Sequence, residues 1–267
     1  MKKSVDVKDR YFMDDPREAE RLERKVNAAE FIEKYIQKHT DYLHRANILE
    51  AGCGPGVFLH KLGTIYPDYN ITGIDISEHR IEEANKKLAG FKNAKAIKAD
   101  IYELPFPDNC FDFIFSRFLF EYLRYPVAAT KELFRVCKPN GKILLQDLDT
   151  QFTFYPELSP LLTNALRTLQ EHTGFDPDIG RKLFSIGRNA GLECINIENE
   201  MYHKIFGRID DFNYKLWDLK LDIAFNNTKF IPAGDAQKLK TEMLQSLQDE
   251  ETIMFSNLFT LTFKKPT

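Results

Sequence analysis

The stretch Asn47-Ile48-Leu49-Glu50-Ala51-Gly52-Cys53-Gly54-Pro55-Gly56 decides the fold. An apolar run that ends in a carboxylate and enters a Gly-x-Gly-x-Gly turn reads as a buried parallel strand bringing bare backbone to a ligand. Pro55 suits the first turn of a helix, where a missing N–H costs nothing, and Val57, Leu59, Leu62 and Ile65 carry that helix onward. A binding site is therefore expected at the carboxyl end of the strand. The spacing leans away from the dinucleotide fingerprint G-x-G-x-x-G, because Val57 stands where its third glycine belongs.

Working outward, Asp75 closes the apolar run Ile71-Thr72-Gly73-Ile74, at the distance where a strand-end carboxylate can accept two ribose hydroxyls. Asp100 closes a third run, residues 94–99, so three successive strands end in an acid. Between them, Ser77 can cap a helix carrying Ile81, Ala84 and Leu88, and Pro126 opens another through Leu133 and Val136. The turn Lys138-Pro139-Asn140-Gly141 leads into a fifth strand, residues 142–147. Strands alternating with helices in this way imply a doubly wound α/β fold, a parallel sheet with helices on both faces.

The combined pattern resembles the class I S-adenosylmethionine-dependent methyltransferases of the small-molecule type. The matching pieces are Leu49 to Gly56, Gly73-Ile74-Asp75-Ile76-Ser77 and Ala99-Asp100-Ile101-Tyr102-Glu103-Leu104-Pro105-Phe106. They continue in Phe111-Asp112-Phe113-Ile114-Phe115-Ser116 and in residues 133–142, Leu-Phe-Arg-Val-Cys-Lys-Pro-Asn-Gly-Lys. Five motifs in family order across residues 45–150 are a far more specific signal than any one of them. The resemblance implies a Rossmann-like seven-stranded sheet, mostly parallel with an antiparallel last strand, and S-adenosyl-L-methionine as cofactor. It also implies roles: Gly52, Gly54 and Gly56 along the methionine part, with Glu50 beside it, and Asp75 on the ribose hydroxyls. Ile76 would pack on the adenine, Asp100 and the backbone of Ile101 would meet the adenine edge, and Tyr11, Ser116 and Arg117 would border the methionine end; Tyr11 would cover the sulfonium by a cation–π contact or pack on the lid helix instead.

The other reading of Glu50 and Asp75 is that strand-end acids cap the following helices or face solvent; at Asp75 that stays open, since Ser77 is near enough to share the task. The adenine-type signature Asn/Asp-Pro-Pro-aromatic is absent at Ser116-Arg117-Phe118-Leu119, as is a Pro-Cys nucleophile loop, and Ser116 is a poor magnesium ligand. A metal-free transfer to O, N or C of a small, aromatic or lipophilic molecule is the residual expectation. A non-catalytic S-adenosylmethionine-binding module for docking or sensing is the alternative of a different class.

A length of 267 residues makes one methyltransferase domain the expectation, divided into an N-terminal lid (1–45), a cofactor-binding core (46–150) and a completion of the sheet with helical cap insertions (151–267). Hydrophobic residues at 43% and charged residues at 29% describe an ordinary globule, and a net charge of -3 gives no reason to expect a nucleic-acid partner. No run suits a secretory signal or a membrane span, and Cys53, Cys110, Cys137 and Cys194 lack C-x-x-C spacing. A cytoplasmic setting with reduced thiols follows, without membrane or metal, and a homodimer stays open.

In the first part, Asp14-Asp15-Pro16 opens an amphipathic helix carrying Leu22, Val26, Ala29, Ile32 and Ile36, either a lid or a cover for the sheet edge. In the last part, residues 151–156 read as irregular, Ser159-Pro160 and Asp176-Pro177 each open a helix, residues 192–206 form a long strand, and two helices precede a final strand around Phe255 to Phe263. Methyl transfer draws much of its rate from alignment, so no base is required by the pattern. His172 and His203 are the candidates for one, each with a structural role as the blander reading. Arg181 could hold an acidic substrate group or pair with Asp176 or Asp178, and Phe154, among many aromatics in this part, could contact the acceptor or fill the core of the cap.

Overall fold

The computed structural model describes residues 11–18, 21, 27–41 and 43–267. Its centre is a seven-stranded sheet in the order β3-β2-β1-β4-β5-β7-β6. The strands are β1 (Asn47–Ala51), β2 (Asn70–Asp75), β3 (Ala94–Lys98), β4 (Phe111–Arg117), β5 (Cys137–Tyr155), β6 (Glu193–Phe206) and β7 (Ile253–Lys264). The first five pair in parallel, and β7 runs antiparallel to both β5 and β6. This is the Rossmann-like arrangement expected above, with the reversed strand last in the chain.

The helices are α1 (Val57–Ile65), α2 (Glu78–Lys87), α3 (Pro126–Val136), α4 (Pro160–Thr173), α5 (Leu183–Asn189), α6 (Asp211–Asn226) and α7 (Ala233–Gln248). Buried strands need cover on both faces. On one face Phe58 and Leu59 of α1 and Ile81 and Ala84 of α2 meet Ile48, Phe113 and Phe115 of the sheet. On the other, Ala129 and Leu133 of α3 and Leu183 and Ile186 of α5 meet Leu49, Ile114, Ile143 and Leu145. A third core, with Trp217, Leu221, Phe225, Leu239 and Met243, joins α4, α6 and α7 into a helical cap over the extended ends of β5 and β7.

Several local expectations are corrected. The single N-terminal helix is interrupted: after Pro16, Arg17 and Glu18, Asn27 is a fresh N-cap, out of helical conformation and accepting the N–H of Glu30 at 3.3 Å. Helix resumes at Ala28–Phe31, passes through a π-helical turn at Ile32–Gln37 and ends at Lys38–Thr40. Ile32 and Ile36 are buried against the sheet whereas Ala29 is exposed; Leu22 and Val26 lie outside the described residues. Residues 28–40 thus cover the sheet, and residues 11–18 belong to the crevice described below.

β5 is much longer than residues 142–147, and the stretch read as irregular is strand with a register shift between Asp149 and Thr153. Thr150 and Phe152 take left-handed backbone there, so the bulge breaks the two-residue alternation by which a strand is recognised. Asp176-Pro177 does not open a helix directly; a 3-10 turn at Gly180–Lys182 precedes α5.

Candidate active site

The turn after β1 is hooked to the end of β2, since the backbone N–H groups of Gly52 and Cys53 both donate to the carbonyl of Ile74 at 2.9 Å. Gly52, Gly54 and Gly56 all have left-handed backbone, at φ of 78°, 50° and 77°. Their uses differ. A side chain on Gly54 would meet nothing within 4 Å, so its bare backbone faces open space, whereas one on Gly56 would lie 2.8 Å from Ala84 and force α2 away.

Two contiguous cavities lie along the carboxyl ends of the strands, of about 430 Å³ and about 110 Å³. Tyr11, Gly52, Arg80, Phe118 and Tyr122 line both and form the waist between them. The larger lobe, over β2 and β3, takes in Asp75, Ile76, Asp100, Ile101 and Leu119. The smaller, over β1, β4 and β5, takes in Glu50, Gly54, Arg117, Glu121 and Leu148.

Asp75 accepts the N–H of Gly54 at 3.0 Å on one oxygen and that of Ser77 at 2.9 Å on the other. It therefore ties the β1 turn to the residue before α2 and still has acceptor capacity for a ligand, because a carboxylate offers about four lone-pair sites. Ser77 occupies the N-cap position without a side-chain capping bond. Asp100 accepts the N–H of Tyr102 at 3.0 Å, which fixes the loop that carries Ile101.

Glu50 is 3% exposed and its Oε2 has no hydrogen-bond partner. Burial, reinforced by Asp75 and opposed by Arg117, pushes its carboxyl well above the usual range. An orphaned acid of this kind suits a ligand that brings a positive charge or a donor. Arg117 donates to Gln146 at 2.7 Å and stacks on Phe118 at 3.9 Å. Ser116 is 1% exposed and donates to the carbonyl of Ala51 at 3.0 Å, lining neither lobe.

Residues 11–15 cross the waist as a strap. The guanidinium of Arg80 lies 4.8 Å from the centre of the Tyr11 ring, and that ring meets Tyr122 edge-on at 4.8 Å. Arg80 also donates to the carbonyl of Met13 at 3.1 Å, and Arg17 bridges Asp15 and Asp222 of α6 at 2.9 Å each. Burial raises the phenol of Tyr11 above its ordinary range.

The remaining candidates fall elsewhere. His172 is at the rim of the larger lobe, its Nδ1 3.0 Å from the carbonyl of Thr168 and its ring against Phe230. His203 lines neither lobe; its Nδ1 is 2.7 Å from Ser256 Oγ and its ring sits between Tyr202 and Trp217. Arg181 is held by Asp149 of β5, its Nε 2.8 Å from Oδ1, and Phe154 is buried in the cap core. Among the described residues no group of three or more His, Cys, Asp or Glu side chains is placed to hold a metal ion.

Sequence reasoning passed over Arg80 and Glu121. Arg80 had a signal, since residues 80, 84 and 88 share one helix face and two of them are apolar. Glu121 had none, because its surroundings come from β5 and the loop before α5.

Residues 49–145 match the model of a family described as a methyltransferase domain. An uncharacterized methyltransferase of Schizosaccharomyces pombe is 32% identical over 177 residues, covering 62% of this chain and 61% of that protein. A demethylmenaquinone methyltransferase of Staphylococcus aureus is 33% identical over 112 residues, covering 42% and 46%. The chain thus matches less than two thirds of the length of either relative. Among solved structures, a phosphoethanolamine N-methyltransferase 2 of Haemonchus contortus in complex with S-adenosyl-L-methionine aligns with a TM-score of 0.58 at 16% identity, covering 89% of this chain and 53% of that one. Residues 49–145 are thus similar to a methyltransferase domain, and the fold around them is shared with this solved methyltransferase structure.

Proposed function

We propose that the chain binds S-adenosyl-L-methionine in the two-lobed crevice and transfers its methyl group to a small molecule held under the helical cap. One observation carries the reading: the bare backbone of Gly54, the partnerless buried Glu50, and the strand-end acids Asp75 and Asp100 converge on a single crevice. The ligand fits this chemistry, being a nucleoside with a cationic amino-acid tail and no phosphate. When bound it supplies a methyl carbon already activated by a sulfonium.

The chain's own residues then bind, orient and exclude water. Asp75 takes the ribose hydroxyls with the lone pairs that Gly54 and Ser77 leave over, and Ile76, Ile101 and Leu119 supply apolar walls for the base. Asp100 meets the polar edge of the base from the end of β3. Glu50 faces the ammonium end, where a buried carboxylate gains a partner it otherwise lacks. Tyr11 closes the waist, and Phe12 packs behind it on Tyr122. The sulfonium contact expected of Tyr11 competes with the guanidinium of Arg80 for the same ring.

Support from relatives is of one kind: the proteins of similar sequence are methyltransferases, and the solved structure of like fold holds S-adenosyl-L-methionine. A cytoplasmic setting belongs to the proposal and rests on the four free cysteines. No helix among the described residues is long and apolar enough to cross a membrane. Isothermal titration with S-adenosylmethionine and with its demethylated product tests the first half of the reading, and no heat up to about 1 mM nucleoside refutes it. Appearance of the demethylated product on addition of a metabolite pool tests the second half and separates an enzyme from a binder.

A further inference from the structure

Methyl transfer moves positive charge from sulfur to the attacking atom, so a carboxylate helps most when it stands on the acceptor's side of the transferred carbon. Asp100 follows β3, Asp75 ends β2, Gly52 follows β1 and Arg117 ends β4, so the nucleoside reading runs across the strands in that order. The next position in line, between β4 and β5, is held by Glu121.

Glu121 is 4% exposed in the 3-10 turn Phe120–Tyr122 and lines the smaller lobe together with Leu148 of β5 and Tyr202 of β6. Contacts from three remote segments help to fix it. Its backbone N–H donates to Asp147 Oδ2 at 3.2 Å, its carbonyl accepts the N–H of Asp176 at 2.7 Å, and its Oε2 accepts the side-chain amide of Gln151. Gln151 is the central residue of the β5 bulge, flanked by the left-handed Thr150 and Phe152, and the bulge aims its amide inward. Asp147 is fully buried, and burial followed by repulsion from Glu121 raises its carboxyl far above the ordinary range. The same lobe is lined by the partnerless Glu50, a second and independent mark of a ligand site.

We propose that Glu121 is the carboxylate that faces the attacking atom of a hydroxyl or amine acceptor. Glu121 takes the O–H or N–H proton that the acceptor gives up as its lone pair bonds the methyl carbon and the carbon–sulfur pair returns to sulfur. Asp147 and Gln151 act through Glu121 as positioning residues. The inference rests on the proposed cofactor, and its test separates the two.

Sinefungin replaces the sulfonium and its methyl with a carbon bearing a primary amine, so its ammonium occupies the place from which the methyl departs; S-adenosylhomocysteine has nothing there. Titration calorimetry of the whole chain with each compound should give the wild type roughly tenfold or more tighter binding of sinefungin, the range of a charge-assisted hydrogen bond. Glu121→Gln should abolish that preference and leave the affinity for S-adenosylhomocysteine unchanged, which also reports an intact fold. If neither compound binds the wild type, the proposed cofactor is wrong. If S-adenosylhomocysteine binds but the wild type does not favour sinefungin, or Glu121→Gln keeps the preference, the assignment of Glu121 is overturned.

Discussion

Replacing Asp75 with asparagine puts the proposed nucleoside site to its sharpest test. The wild-type carboxylate has about four lone-pair sites, two of them engaged by the N–H groups of Gly54 and Ser77 at 3.0 and 2.9 Å. Two remain for the two ribose hydroxyls. An asparagine has one acceptor oxygen, and its amide group must point either at a backbone N–H, setting donor against donor, or at the ligand. At least one charge-assisted bond is lost and the others weaken, which costs roughly 2 to 4 kcal/mol of binding. That is about 30- to 1,000-fold in affinity. Isothermal titration of both proteins with S-adenosylmethionine reads the difference, and a urea melt shows whether the turn and α2 survive. Binding by a folded Asp75→Asn within threefold of wild type would refute the assignment of Asp75 to the ribose.

Two further outcomes concern titration. Because its carboxyl is held above the usual range, Glu50 contributes stability below its unfolded pKa, near 4.5, and loses it as pH rises. Glu50→Gln should therefore stabilise the empty protein at pH 8 by about 1 to 3 kcal/mol and make little difference at pH 4, while weakening S-adenosylmethionine roughly tenfold; urea melts at the two pH values and calorimetry check the pair of effects. His39 goes the other way: burial, then Lys142 and Lys38, lower its imidazole from 6.5 to about 4. Its stabilisation is present above pH 6.5 and is lost as pH falls towards 4, by roughly 1 to 2 kcal/mol after allowance for nearby solvent. His39→Phe, which keeps the stacking on Phe113, should flatten the stability profile in that window, and an unchanged slope would contradict the account.

How far the sequence could be read follows from where each signal sits. The β1 turn and the acids after β2 and β3 were legible because a Rossmann-like site is written locally, one residue set per strand end. Arg181 was read beside Asp176 and Asp178 for the same reason, whereas its main partner is Asp149, brought to it by the bulge in β5. The end of β5 was missed because two left-handed residues invert the alternation on which the reading depends. Glu121 was invisible for a related reason. Its meaning comes from Asp147, Gln151 and Asp176, which are remote in the chain and meet only when the sheet is assembled.

The late position of β7 in the chain governs how that assembly can proceed. β7, residues 253–264, lies inside the sheet, so β5 and β6 meet only through it. A nascent polypeptide that has emerged as far as Phe206 already contains fourteen residues of β6 with no strand to bond to, and one edge of β5 with its backbone N–H and C=O groups unpaired. Until the final strand slides between them, β5 is paired on its β4 side only and β6 on neither, and it is there that a stalled or shortened chain would stick to others.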